Sequence, residues 1–146
     1  MAAKRSLHDR DFYAWSRQQA ALLREGRVAE ADLSAIAEEI ESMGKTEKRE
    51  LVSRLTVLLL YLLKSRFQPT GRGNSWCLSI ANARDEIADL IDDNPSLKPL
   101  LGQLTASAYR YARRKAVIET KMGEEAFPAA CPWASAEAMK AGFSPE

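Results

Sequence analysis

Apolar residues recur at helical spacing through Leu33, Ile36, Ile40 and Met43, and again through Leu51, Leu55, Leu58 and Leu62, in one phase on either side of Gly44. A period near 3.6 residues held for that long requires an α-helix and excludes a strand. The chain therefore has to be organised around one long helix that starts near Asp32, with Gly44 as its natural kink point. Pro69 disfavours helical backbone in the residue before it, and Gly71-Arg72-Gly73 breaks any continuation, so the helix stops by Gln68. Its most apolar stretch, Leu55 to Leu63, is bracketed by Arg54 and Lys64. That is about half of the roughly 20 residues a membrane crossing needs, so this segment reads as a buried central helix and no membrane association is expected.

The same spacing places three more helices. The first takes Asp9 or Asp11 as N-cap, buries Phe12, Trp15, Gln19, Leu22 and Leu23, and ends at Gly26. Another opens at Asn74 or Ser75, turns Trp76, Ile80, Ala83, Ile87, Leu90 and Ile91 inward, and closes at Asn94-Pro95. A further helix opens at Ser96, tolerates Pro99 in its first turn, and ends at Gly123. Its expected inner face is Leu97, Leu101, Leu104, Ala108, Tyr111, Ile118 and Met122, with Lys115 on the same stripe. The tail carries Cys131-Pro132-Trp133 and a short helix capped by Ser135 that ends near Gly142. No alternating pattern reads as a strand. The expected fold is all-α, a compact bundle of four main helices with a short C-terminal helical tail, in which residues 1–8 form a flexible leader and 9–146 a single domain.

A chain of 146 residues suffices for one self-supporting core. Its 21 basic and 20 acidic residues leave a formal charge of +1, so no global field draws in nucleic acid or an anionic surface. The first ten residues carry charges but no apolar run, which argues against a secretory signal. Cys77 and Cys131 lie far apart in sequence without any regular spacing, which reads as reduced thiols and a cytoplasmic location.

Five short motifs, Asp11-Phe-Tyr-Ala-Trp15, Ala37-Glu-Glu-Ile-Glu-Ser-Met-Gly44, Leu62-Leu-Lys64, Ser75-Trp76 and Cys131-Pro-Trp133, follow one another in an order that resembles the bacterial domain-of-unknown-function family 29. The resemblance runs from about Asp9 to Trp133. It implies an all-helical domain and brings no assigned activity. The sequence departs from the family pattern at Tyr61, where many relatives carry histidine, and at Phe67.

Candidate sites are few. Glu38, Glu39 and Glu41 cluster, but a metal site in a helical bundle would also need histidines on partner helices, and the single histidine, His8, is expected outside the helices. Glu38 points away from the apolar stripe and the other two flank it, so they read as a solvated face and no metal or cofactor is expected. Arg54 falls on the stripe of Leu51, Leu55 and Leu58, with Glu47 and Glu50 within two turns. A charge there needs a partner, so the cluster reads either as an architectural Glu50–Arg54 pair or as a polar pocket with Arg54 clamping an anionic ligand. Arg72, Gly73, Asn74 and Ser75 open a helix and offer a weak anion site, without the spacing of a phosphate-binding loop. Basic residues gather from Lys45 to Arg72 and at Arg110, Arg113, Arg114 and Lys115, but no nucleic-acid motif accompanies them and acidic runs offset them.

No catalytic constellation is visible. The leading functional expectation is a non-enzymatic module that binds a protein partner or itself. A small anionic-ligand or enzyme site around Arg54 is second, and an accessory nucleic-acid binder is third.

Overall fold

The computed structural model describes residues 6–71 and 73–145. Among them there is no strand, and the regular elements are α1 (Leu7–Arg10), α2 (Phe12–Arg24), α3 (Leu33–Phe67), α4 (Asn74–Asp93), α5 (Leu101–Thr120) and α6 (Ser135–Met139), with short 3-10 turns between some of them. The fold is all-α, and the four main helices expected from the sequence are α2 to α5. The chain divides into two compact units, Met1–Lys45 and Thr46–Glu146.

In the first unit, Ser6 caps α1 and Asp11 caps α2, its Oδ1 accepting from the Ala14 amide at 3.0 Å. His8 therefore lies within a helix, not before the first one. Gly26, at φ 73°, closes α2. The Gly26 and Arg27 amides reach back to the Leu23 and Leu22 carbonyls, the paired bonds of a Schellman end, which requires the left-handed backbone that glycine adopts without strain. Trp15 and Gln19 are buried. The Gln19 Oε1 accepts from the Asp32 amide at 2.7 Å, and the Asp32 Oδ1 caps α3 through the Ala35 amide. Phe12 and Leu23, expected inside, are exposed, as are Leu33, Ile40 and Met43.

The second unit holds the main core. Leu51, Leu55, Leu58, Leu59, Leu62 and Leu63 of α3 are almost completely buried against Ile80, Ala83 and Ile87 of α4 and Leu104, Ala108, Tyr109, Ala112 and Ala116 of α5. Helix α3 runs through Gly44 as one helix of 35 residues.

Three expectations for α5 are corrected. The segment that holds Pro99 forms a 3-10 turn, Pro95–Leu100, so α5 begins at Leu101. Leu104 and Ala108 are buried as expected, and the inner face continues through Thr105, Tyr109, Ala112, Ala116 and Thr120, while Tyr111, Lys115 and Ile118 are exposed. Alanines line the buried side because small side chains let neighbouring helices approach. The helix ends at Lys121, which takes the left-handed φ of 60°, and not at Gly123. Likewise α4 is capped by the extended Gly73, so Asn74 and Ser75 fall inside its first turn, and α6 starts after Ala134.

The tail is held by side chains reaching out of the helices. Arg84 donates to the Ala138 and Phe143 carbonyls, Arg113 to the Glu124 and Phe127 carbonyls, and the Tyr109 hydroxyl to the Pro128 carbonyl. Phe127 and Trp133 are thereby buried in the core of this unit.

Candidate functional site

The expected cluster on α3 forms only in part. Arg54 is 40% exposed and divides its guanidinium between Glu50 at 3.2 Å and Glu86 of α4 at 3.0 Å. It sits at the edge of the apolar stripe and reaches solvent there. Glu86 takes the place expected for Glu47, which lies on the exposed part of α3. With two carboxylates already on it, Arg54 presents little free positive charge to a ligand. The second expected site fares differently. Arg72 lies outside the described residues, while Gly73, Asn74 and Ser75 form the exposed start of α4.

A stronger candidate lies on the other side of α3, where it runs beside α5. A groove of about 740 Å³ has Val52, Val57 and Leu104 in its floor, Ser53, Gln103 and Ser107 as polar groups, and Lys48, Arg49, Arg110 and Lys115 around it. Among the described residues no carboxylate lines it. None of these four cations forms an ion pair among the described residues. Tyr111, half exposed, stands in the same lining with the Arg110 guanidinium over its ring at 6.0 Å. Arg110 also borders a second concavity of about 430 Å³, shared with Arg113, Arg114, Val117 and Ile118. There Arg113 is paired with Glu124 at 2.8 Å.

The helical period explains this arrangement. Gln103, Ser107, Arg110 and Arg114 fall on one outward row of α5 because they are spaced by three and four residues. The sequence displays both basic runs; what it does not display is that α3 and α5 become neighbours, which brings Lys48 and Arg49 to the same groove as Arg110 and Lys115.

Lys64 is a further residue that sequence reasoning passed over. Its side chain is only 14% exposed, pairs with Glu119 at 3.0 Å, and lies 5.1 Å and 4.8 Å from the ring centroids of Tyr61 and Trp76. Two of the motifs noted above, Leu62-Leu-Lys64 and Ser75-Trp76, thus meet in one contact. Gly71 is part of it, since a Cβ there would come within 2.8 Å of the Trp76 ring. Lys64 is thus engaged by one carboxylate and two aromatic faces.

Burial raises the Cys131 thiol above its ordinary value and outweighs the backbone hydrogen bond at Trp133, which lowers it, so the nucleophilic thiolate is disfavoured. Burial, with Cys131 adding to it, pushes Tyr109 up to about 12. Among the described residues no group of three or more His, Cys, Asp or Glu could hold a metal ion, and no helix is long and apolar enough to cross a membrane.

Fold and site together define an all-α protein whose most distinctive surface is a basic groove between two helices. The model of the family described as Domain of unknown function DUF29 matches residues 7–144, and the chain belongs to that family. No curated protein and no solved structure matches it.

Proposed function

We propose that the chain is a non-enzymatic interaction module whose docking surface is the groove between α3 and α5, and that this groove receives an acidic, amphipathic helical segment. The observation that carries the reading is the convergence of Lys48, Arg49, Arg110 and Lys115 on a lining without a carboxylate, in a chain whose formal charge is only +1. Like charges gathered at one place repel each other, so an anionic occupant gains both from attraction and from relief of that repulsion. The apolar floor of Val52, Val57 and Leu104 favours a partner that brings apolar side chains with its carboxylates, the helix-in-groove mode of recognition.

Fluorescence anisotropy with a labelled Glu/Leu amphipathic helical peptide, against a Lys/Leu peptide of the same pattern, tests this. The acidic peptide binds, less tightly as salt rises, and Lys48→Glu with Lys115→Glu removes the binding while the far-UV spectrum stays unchanged. Equal binding of both peptides, or binding indifferent to the two reversals, overturns the reading.

A second reading, an accessory nucleic-acid binder, is favoured by one observation. The exposed Tyr111 stands among the cations of the groove, the combination that tracks a phosphate backbone and stacks a base. A labelled oligothymidylate in the same assay separates it from the first: binding tighter than that of the acidic peptide, lost on Tyr111→Ala, selects the nucleic acid.

A further inference from the structure

We infer that the occupant of the groove is the first half of α3 from a second copy of this chain. The inference rests on the docking-surface reading above and names its partner. Leu33, Ile40 and Met43 are 51%, 63% and 69% exposed. Their spacings of seven and three residues put them on one side of the helix. Glu41 and Glu39 flank that side, Glu39 while also bonded to His8 at 2.7 Å, and the segment Leu33–Met43 contains no basic residue. The exposed half of α3 therefore has the chemistry that the groove selects, an apolar row edged by carboxylates.

Length agrees as well. From Leu33 to Met43 the helix rises about 15 Å, and along α5 the groove runs from Gln103 to Lys115, about 18 Å at the same rise per residue. Apolar residues this large and this exposed on a regular helix mark a surface that is covered in use, and the basic groove of another copy supplies both an apolar floor and the opposite charge.

Sedimentation velocity of the full chain over a range of concentrations provides the test. The wild-type protein self-associates, more weakly as salt rises. Ile40→Asp with Met43→Asp, both on exposed positions, weakens association about tenfold or more, and so does Lys48→Glu with Lys115→Glu. The decisive variant combines those groove reversals with Glu41→Lys, which leaves Glu39 on His8, because a swapped charge restores association only if the two surfaces meet each other.

A wild-type chain that stays monomeric at millimolar concentration overturns the inference, as does self-association untouched by either pair of changes or a charge swap without recovery. The acidic-peptide assay tells the two failures apart. A monomeric chain that still binds the peptide at Lys48 and Lys115 loses only this inference, whereas one that binds neither peptide nor second copy loses the groove as a docking surface.

Discussion

Ile40, in the first unit, and Leu58, in the second, both fall on the apolar repeat of α3, eighteen residues or five helical turns apart in sequence. Yet Leu58 is fully buried and Ile40 is 63% exposed. The periodicity that relates them is identical in both halves; the difference is whether anything packs against that side. Over Leu51 to Leu63, α4 and α5 supply the opposing surface. Over Leu33 to Met43 the apolar row is left in solvent. Hydrophobic spacing thus reports the direction a helix face points, and the neighbour that covers it is a separate fact, set by tertiary structure within the chain or by another molecule.

The sharpest way to break this comparison is to shorten one side chain in each half. Leu58→Ala empties a site with no solvent access and is expected to cost about 3 kcal/mol, within the usual 2–5 for a buried leucine. Ile40→Ala should change stability by no more than about 0.5 kcal/mol, the surface range. Urea denaturation of both variants at low protein concentration measures the difference. If Ile40→Ala is as costly as Leu58→Ala under those conditions, the first half of α3 is covered within a single chain. If it becomes costly only at high concentration, a second copy covers it.

What was legible in the sequence follows the same line. The long helix, the inner face of α4 and the tail anchored by Trp133 could be read because large apolar residues at regular spacing mark them. The inner face of α5 was legible only in part: Leu104 and Ala108 are buried as their spacing implies, but Tyr111 and Ile118 look like core residues and are exposed, while Ala112 and Ala116, whose small size carries little hydrophobic signal, are buried. The clamps of Arg84 and Arg113 on the tail were invisible for another reason: each bonds backbone carbonyls, of Ala138 and Phe143 or of Glu124 and Phe127, and a carbonyl has no residue type to recognise. The groove was half legible, as two basic runs whose meeting depends on α3 and α5 becoming neighbours.

Arg54 sharpens the comparison at an intermediate scale. Its place on the stripe suggested a buried or half-buried pair with Glu50, whose loss would cost several kcal/mol if buried. The pair with Glu50 forms, shared with Glu86, at the rim, where all three are 40–48% exposed. Exposed pairs are screened by solvent and contribute little. Arg54→Leu is therefore expected to lower stability by less than about 1 kcal/mol, read from the same denaturation curves, and to leave acidic-peptide binding unchanged because Arg54 does not line the groove. A loss of several kcal/mol would return Arg54 to the buried side of the comparison.

The smallest effect concerns the contact that holds the first half of α3 within its own unit. His8 Nε2 lies 2.7 Å from the Glu39 carboxylate and Nδ1 3.4 Å from Asp9, with the ring set edge-on against Trp15. The hydrogen bond to Glu39, then that to Asp9, raises the His8 pKa above its ordinary 6.5. A group whose pKa is raised on folding adds stability that is complete below the unfolded value and lost as pH climbs through the folded one. This contact should accordingly hold at pH 6 and loosen above neutrality, seen as faster amide exchange in α1 and around Glu39 while the core amides of Leu55 to Leu63 stay protected. His8 is the single histidine, so its ring resonances titrate without ambiguity. Glu39→Gln should bring the midpoint back toward 6.5, and a midpoint that does not move would show that Glu39 is not what holds His8, leaving α3's first half without its side-chain tether to α1.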